Sequence, residues 1–368
     1  MKSSTWDKIK WLWKTFWNAK KTSYPRTKWG TGVIIASVGV PLANVGLFTV
    51  EFIFDLPINS ISYIKKEYSM LSGGLAILGV LAGIALIYSE WRNTSRSTAK
   101  VLISSMPNTN LEFPENLLDP AEKESFREPV ILGVPSSTYE DIKMQLRLYN
   151  AELTANIFNR FIIQENCRKL YIGGLARIPF LVSYGVLLRN TSIDVHFFDK
   201  SHKEQREWIL LNEERTELSY ASECNCVTAN ANGDIALAVS FTCEIDKEVI
   251  PNELNGHTLF IRSNVSPQRN LIKNQENLSE AASFISSIVD ELSQRKNVKR
   301  IHFFLSVQSS LAIAIGQRYQ EGVHRKWVLH NFNAEEGLYD WGLEISSLGA
   351  EYFNSLELVS GRFTEKAI

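Results

Sequence analysis

The sequence predicts a membrane-anchored α/β protein, in which a two-helix transmembrane hairpin precedes two tandem units of parallel β-sheet. The hairpin is predicted by two uncharged runs of 22 residues, Trp29–Val50 and Tyr68–Ser89, since ~20 apolar residues of helix cross a bilayer. The two units are predicted by a strand and helix pattern that recurs at an offset of 131 residues. Four segments are therefore expected: an amphipathic interfacial segment over 1–28, the hairpin over 29–90, a linker over 91–127, and an α/β domain over 128–368 with halves at about 128–245 and 246–350.

The first segment combines aromatic and basic residues. Trp6, Trp13 and Trp17 fall on one face of a helix beside several lysines, a composition typical of helices that lie in the lipid headgroup layer. Residues 1–28 carry eight Lys or Arg and a single acid, Asp7. By the positive-inside rule, the amino terminus and the domain after the second run are expected in the cytoplasm. A simple topology anchor without a regulatory role is the alternative explanation.

The two uncharged runs are rich in small residues. Gly79 and Gly83 form a GxxxG pair, and Gly32 with Ala36 repeats the spacing. In lipid, small residues at this spacing let two helix backbones approach closely. The pattern is compatible with packing inside one hairpin and with packing between chains.

A linker is expected after the second run. Residues 91–127 are polar and acid-rich, and they are interrupted by Pro107, Pro114 and Pro120. Prolines at this density are typical of loops. The chain has four cysteines in all, too few for a disulfide framework in a chain of this length.

The repeat in the α/β domain is clearest where Lys169–Arg177 aligns with Arg300–Gln308. Each stretch is a short apolar strand followed by a loop, and each then enters an apolar helix that ends near an equivalent glycine, Gly185 or Gly316. An earlier strand and helix complete each copy, the earlier strands being Val130–Leu132 and Leu259–Ile261. Strands that alternate with helices in this way are typical of a parallel sheet with crossover helices.

The candidate ligand contacts follow the strands of the two units. Ligands of open parallel sheets bind outside the carboxyl ends of the strands. Backbone N–H groups at a helix start and arginine side chains both suit phosphate. The predicted ligand contacts are Ser136, Ser137, Gly173, Gly174 and Arg177 in the first unit, and Arg262, Ser263, Asn264, Ser306, Gln308 and Ser309 in the second.

The sequence contains no constellation that indicates catalysis or a cofactor. It has no G-x-G-x-x-G after a strand, no Walker lysine motif and no paired His or Cys motif for a metal. His196 and His302 fall inside apolar strands, where a hydrogen-bonded core histidine is expected. We therefore expect no catalytic residue, no metal and no cofactor.

Three stretches of the domain carry a family resemblance. Asp234–Thr242, Ile301–Gly316 and Val328–Phe332 resemble the SAVED domain, and the resemblance covers roughly residues 125–350. It implies two fused CARF-like, Rossmann-like units that bind a cyclic oligonucleotide in bacterial CBASS anti-phage defence. Together with the two N-terminal runs, the chain resembles the transmembrane-SAVED effectors. Family members often have a proline in the loop after the strand at Ile301–Leu305, and this chain has none there.

The resemblance implies a receptor and not an enzyme. Its expected ligand is a cyclic di- or trinucleotide second messenger from a functionally linked nucleotidyltransferase, and not a DNA or RNA polymer. Binding would drive homo-oligomerisation, and the hairpin would then disrupt the lipid bilayer of the bacterial inner membrane, with the N-terminus and the SAVED domain in the cytoplasm. Two alternatives are a membrane-anchored CARF-type ring nuclease, in which Ser309 or His330 would act on the phosphate, and a membrane scaffold that binds no nucleotide.

Overall fold

The structure is a computed structural model that describes residues 25–42, 70–104, 112–118, 130–133, 138–155, 167–189, 193–201, 207–223, 227–346, 349–356 and 358. Most of the interfacial segment expected over 1–28 lies outside these residues, as do Ser136 and Ser137. The chain divides into two compact units. One contains a helix pair, and the other contains residues 99–117 and 129–368.

The helix pair consists of α1, Pro25–Leu42, and α2, Met70–Ser97. The two helices contact each other where both carry glycine, because a Cβ added to Gly83 would lie 2.6 Å from the carbonyl oxygen of Gly30. Near the same end of the pair, the backbone N–H of Thr27 donates a hydrogen bond to Glu90 Oε2 at 2.5 Å. The GxxxG face of the second run therefore packs inside the chain, which is the first of the two possibilities left open by the sequence.

The opposite face of α2 is apolar and exposed. Ile77 and Leu78 are each 64% exposed, Leu81 is 57% exposed and Ile84 is 51% exposed. Among the described residues, no helix has both the length and the apolarity needed to cross a bilayer.

The second unit is built on two β-sheets. The strands are β1 Thr98–Ser104, β2 Val130–Gly133, β3 Lys169–Leu175, β4 Asp194–Lys200, β5 Trp208–Leu210, β6 Tyr220–Ser222, β7 Asp234–Ser240, β8 Thr258–Ser263, β9 Arg300–Ser306, β10 Lys326–Asn333, β11 Leu338–Ser346 and β12 Gly349–Asn354. The first sheet has the strand order β2-β1-β3-β4-β5, and the second has the order β12-β11-β10-β9-β7-β8-β6. The helices are α3 Tyr139–Ala155, α4 Ile178–Leu187, α5 Asn252–Asn255, α6 Gln275–Gln294 and α7 Ser309–Gln317, and short 3₁₀ turns cover Glu115–Leu117 and Lys247–Val249.

The predicted repeat is present in this unit. The order β2-β1-β3-β4 in the first sheet matches the order β8-β7-β9-β10 in the second. The pairs β1/β2 and β3/β4 in the first half and β7/β8, β7/β9 and β9/β10 in the second half are parallel. The offset of 131 residues carries β3 onto β9 and the start of α4 onto the start of α7. The α/β fold of two Rossmann-like halves expected from the sequence is thus confirmed.

Each half begins one strand earlier than expected. The strand β1 lies inside the segment 91–127 that the sequence suggested as a linker, and β7 lies before the boundary expected near 246. All of β1 is buried, including Lys100, whose ammonium pairs with Glu115 at 3.1 Å. The strand β1 was not predicted because Lys100 interrupts its apolar pattern. Only burial of the lysine stem and pairing of its charge make the position tolerable.

The two halves meet where α4 crosses α7. A Cβ added to Gly185 would lie 3.0 Å from Gly316 Cα, and a Cβ added to Gly316 would lie 2.9 Å from Gly185 Cα. The two glycines that the repeat makes equivalent therefore touch each other. One continuous core surrounds this crossing and includes residues of both sheets, such as Ile172 and Ile301.

Candidate functional site

The carboxyl ends of the parallel strands carry the candidate site. In the first half, β3 ends at Leu175, and Arg177 stands directly before α4 with extended backbone angles (φ −61°, ψ 137°). Its carbonyl oxygen accepts hydrogen bonds from Phe180 N at 3.1 Å and from Leu181 N at 3.2 Å. The Arg177 side chain is exposed and makes no hydrogen bond or ion pair within the described part of the chain. A guanidinium is thus free at a helix start, where the dipole also favours an anion.

The equivalent position in the second half is occupied by the chain itself. Asp199, at the end of β4 and 2% exposed, accepts hydrogen bonds from Ser310 N at 2.9 Å and from Gln308 Nε2 at 2.7 Å. The Ser310 hydroxyl also donates to it, at 2.5 Å. A carboxylate of the first half therefore already fills the anion position at the start of α7.

Gln308, predicted as a ligand contact, joins elements of the two halves. Besides Asp199, its side-chain amide donates to Ile272 O at 2.8 Å, and its Oε1 accepts from Ile272 N at 2.9 Å. A side-chain amide that makes all these bonds has little capacity left for a ligand. Its role in this structure is to hold the loop before α6 against β4.

The glycines Gly173 and Gly174 are packing residues in this structure. Both lie within β3 and are buried, not in the loop after it. A Cβ on Gly173 would overlap the ring of Phe198, and a Cβ on Gly174 would lie 2.7 Å from Leu181 Cδ2. Their small size lets β3 pass close to β4 and α4.

Arg262 is engaged by two carboxylates. Its guanidinium pairs with Glu223, and its Nη2 lies 2.5 Å from Glu244 Oε1. Its Nε donates to the same Glu244 oxygen at 2.6 Å. A phosphate at this position would have to displace both acids, so Arg262 is a weaker candidate contact than Arg177.

The remaining predicted contacts of the second half also bind their own chain. Ser263 Oγ donates to Val265 O at 2.6 Å, and Asn264 Oδ1 accepts from Ser219 N at 3.0 Å. Ser306 Oγ accepts from Cys243 N at 2.9 Å. These bonds shape the loops at the end of the sheet. Ser309, the first residue of α7, is half-buried.

Two basic residues at the carboxyl edges of the sheets were not predicted from the sequence. Lys200 ends β4, and its ammonium lies 4.9 Å from the centroid of the Trp208 ring. Arg269 lies in the loop after β8, is exposed, and has no hydrogen bond or ion pair within the described ranges. The neighbouring Asn270 donates to Lys200 O at 3.3 Å, which brings this loop to the end of β4. The sequence carried a signal for both, since Lys200 is the last residue of a strand and Arg269 lies in the loop after one.

Buried histidines form a second polar cluster, inside the second sheet. His302 Nδ1 lies 2.9 Å from His330 Nε2, and His330 Nδ1 lies 2.7 Å from Ser355 Oγ. At the other end, Asp234 Oδ1 lies 3.7 Å from His302 Nε2 and accepts a hydrogen bond from Arg300 Nε at 2.7 Å. His302 and His330 are 0% and 2% exposed. The expectation of a hydrogen-bonded core histidine is thus confirmed for His302, whereas His196 lies partly exposed beside Asp194.

The charges of this cluster follow from its surroundings. Burial raises the pKa of the Asp234 carboxyl, but His302 and the Arg300 guanidinium outweigh that effect and the pKa lies at about 2. Burial lowers the pKa of His302, and burial together with His302 lowers the pKa of His330 well below its usual value. The cluster is therefore an ion pair joined to two neutral imidazoles, and it is closed to a ligand in the described structure.

The neutral histidines predict a pH-dependent stability. Below pH 6.5 the unfolded chain takes up protons that the folded chain excludes, so the free energy of unfolding should fall from pH 7 to pH 5. Each histidine contributes up to ~1.4 kcal/mol per pH unit. Urea unfolding at pH 7, 6 and 5 measures the slope, which the pair of changes His302→Gln and His330→Gln should flatten. A slope that persists in this variant, or that vanishes in a His257→Gln control, would contradict the assignment.

Comparison with known proteins places the chain among sensor domains. A family model described as SAVED, the SMODS-associated and fused to various effectors sensor domain, matches residues 155–345. Among solved structures, the chain is similar to the Cap4 SAVED/CARF-domain-containing receptor of Acinetobacter baumannii. The structure of that receptor with the cyclic trinucleotide 3′3′3′-cAAA shows 12% identity and a TM-score of 0.47, over 76% of this chain and 60% of the receptor.

Two further structures of the same receptor show a similar likeness. The structure of the receptor with the cyclic trinucleotide 2′3′3′-cAAA shows 14% identity and a TM-score of 0.47, over 76% of this chain and 60% of the receptor. A third structure of the receptor shows 13% identity and a TM-score of 0.44, over 76% of this chain and 58% of the receptor. The alignments therefore span less than two thirds of the receptor. No curated protein matches the chain.

Proposed function

This chain belongs to the SAVED family of sensor domains, and we propose that it is a receptor that binds a cyclic di- or trinucleotide at the carboxyl edges of its two parallel sheets. The observation that carries the proposal is the free guanidinium of Arg177 at the start of α4. A phosphate there would gain a charge-assisted hydrogen bond and the favourable end of the helix dipole.

The site we propose is asymmetric. Asp199 closes the start of α7 to anions, and Glu223 with Glu244 engages Arg262. The phosphates of the ring would therefore contact mainly Arg177 of the first half, with Lys200 and Arg269 as further cations at the rim. Bases would pack on apolar or aromatic side chains, as is usual for unpaired nucleotides.

The receptor role fits the family, since SAVED domains are sensor domains. The ring-nuclease alternative would need a nucleophile or base beside the phosphate. His330 is 2% exposed and bonded to His302 and Ser355. Ser309 has no histidine or carboxylate bonded to its hydroxyl within the described ranges. Neither residue is placed to act on a bound ring.

Incubation of the full chain with 3′3′3′-cAAA separates the two functions. We expect the ligand to be retained by the protein on a spin column and to be recovered as the intact ring by chromatography. Appearance of a linear product that is lost in the Ser309→Ala or His330→Gln variant would establish the nuclease instead. The control variant Arg147→Ala removes an exposed arginine of α3. It should retain the ligand as the natural chain does.

We further propose that the helix pair delivers the response in a lipid bilayer. Its support is the uncharged sequence of the two runs and the exposed apolar face of α2, whose residues include Leu78 and Leu81. The ligand can drive assembly only through a higher affinity for the associated state. In this proposal a linked nucleotidyltransferase makes the ligand, the receptor homo-oligomerises, and the crowded helix pairs disrupt the bacterial inner membrane from a cytoplasmic sensor domain.

Charges on the exposed face of α2 should abolish the membrane response. We expect Leu78→Lys with Leu81→Lys to stop ligand-triggered dye release from liposomes while ligand affinity stays unchanged, because each lysine costs ~2.5–3.5 kcal/mol at the centre of a membrane helix. The matched control, Leu78→Phe with Leu81→Phe, keeps the face apolar and should release dye as the natural chain does. Full release by the lysine variant would rule out bilayer entry through this face.

A further inference from the structure

A cavity of about 340 Å³ opens at the amino-terminal end of β4. It lies at the opposite end of this strand from Asp199 and Lys200, so it is separate from the site proposed at the carboxyl edges. A strand of seven residues is ~20 Å long. The cavity is lined by β4 and the residues around it and by α6 and α7, and its charged lining residues are Arg189, Asp194 and Arg318.

The cavity exists because the two halves are not equally covered. In the second half, β11 pairs with β10 over the whole range Trp327–Asn333. In the first half, β5 pairs with β4 only over Phe198–Lys200, which leaves the amino-terminal part of this edge without a strand partner within the described residues. The helix α6 lies there instead, and Gln275 Nε2 donates to Val195 O at 2.5 Å. A side chain that replaces a strand leaves space beside it.

Two arginines at this cavity have unused hydrogen-bonding capacity. Arg318 is exposed, and its Nη2 donates to Ser279 Oγ at 3.2 Å, with no carboxylate partner in the described ranges. Arg189 pairs with Glu321 through Nη2 and donates to Val186 O through Nη1. Its buried Nε has no hydrogen-bond acceptor in the described structure. A buried donor without a partner is costly, so the chain leaves this guanidinium incompletely satisfied.

The lining is mixed. Its polar residues besides the arginines are Asp194, Gln275, Ser279 and Gln317, and Ile193, Phe197, Leu278 and Ala282 form part of its apolar side, the apolar wall. A space of this size that combines apolar surface with a few convergent polar groups is typical of small-molecule sites. The lining carboxylate, Asp194, already lies 2.9 Å from His196 Nε2. Guanidinium groups bind phosphate oxygens well because their geometry matches bidentate contact.

We propose that this cavity is a second ligand site, which takes a small phosphate ester with its phosphate on Arg318, beside Arg189, and its organic part on the apolar wall. The proposal does not depend on the receptor function at the carboxyl edges. It gives a function to the part of the β4 edge that, unlike the equivalent edge of β10, has no neighbouring strand within the described residues.

Calorimetry of the full chain with adenosine monophosphate, adenosine and inorganic phosphate tests the site. We expect saturable binding of the monophosphate, tighter than binding of either part alone. Arg318→Ala should weaken it at least tenfold, which corresponds to ~1.4 kcal/mol. Ser279→Trp, at an exposed position of the mouth, should abolish it by filling the space. The matched control Arg147→Ala, on the exposed face of α3, should bind as the natural chain does.

Three outcomes would overturn this site. The natural chain does not bind the monophosphate, the Arg318→Ala and Ser279→Trp variants bind it as tightly as the natural chain does, or Arg177→Ala is the variant that loses binding. The same samples are titrated with 3′3′3′-cAAA, which Arg318→Ala should bind normally. Failure with the monophosphate alone removes only the second site. Binding of the monophosphate without binding of any member of a panel of cyclic di- and trinucleotides removes only the proposed receptor function.

Discussion

Replacing Arg177 by alanine should weaken binding of the cyclic ligand by roughly 10- to 150-fold, because a hydrogen bond to a charged group contributes ~1.5–3 kcal/mol. The effect is expected to be large because this guanidinium is exposed and has no other partner within the described part of the chain. Titration calorimetry with 3′3′3′-cAAA measures it. The Arg147→Ala variant, which removes an exposed charge from α3, should keep the natural affinity.

Arg262→Ala provides an internal contrast to this result. The guanidinium of Arg262 already pairs with Glu223 and Glu244, so its loss should change ligand affinity less than the loss of Arg177. Circular dichroism of both variants checks that the fold is intact. A larger effect from Arg262 than from Arg177 would place the phosphates in the second half and contradict the asymmetric site.

Replacing either glycine at the crossing of α4 and α7 should destabilise the whole α/β unit. A Cβ at Gly185 would lie 3.0 Å from Gly316 Cα, and a Cβ at Gly316 would also crowd the backbone of α4. Overpacking typically costs ~1–3 kcal/mol and sometimes more. We expect about 3 kcal/mol for Gly185→Ala, which lowers the melting temperature by ~6–12 °C in a unit of this size.

Gly256 supplies the matched control for this experiment. It has a negative φ of −75°, and a Cβ added there meets no atom within 4 Å. Gly256→Ala should therefore melt within a degree or two of the natural chain, as surface changes usually do. If Gly185→Ala has the same melting temperature as Gly256→Ala, then the two halves are not in close contact at Gly185 and Gly316.

The repeated part of the fold could be predicted because its signal is local. Each copy shows an apolar strand, a loop and an apolar helix with a glycine near its end, and the structure places β3, α4, β9 and α7 at those positions. The contact between Gly185 and Gly316 was not predictable, because periodicity within each half does not show which surfaces of the halves meet. The strand β1 was missed because Lys100 interrupts its apolar pattern.

The site was predicted less well, because its residues depend on distant partners. Arg177 and Arg262 look alike in sequence, since each follows or ends an apolar strand. Glu223 and Glu244, which distinguish them, come from other loops of the second half. Gln308 was expected to contact ligand, but Asp199 engages it from more than one hundred residues away. Ser136 and Ser137 lie outside the described residues, and their role stays a prediction.

We propose that the chain is a receptor for a cyclic oligonucleotide. The most direct test is equilibrium binding of the full chain to a panel of cyclic di- and trinucleotides, with the linear trinucleotide of the same bases as a control. We expect saturable binding of at least one cyclic ligand, little binding of its linear form, and a marked loss of affinity in Arg177→Ala. A folded chain that binds no member of the panel, or that binds linear and cyclic forms equally well, would contradict it.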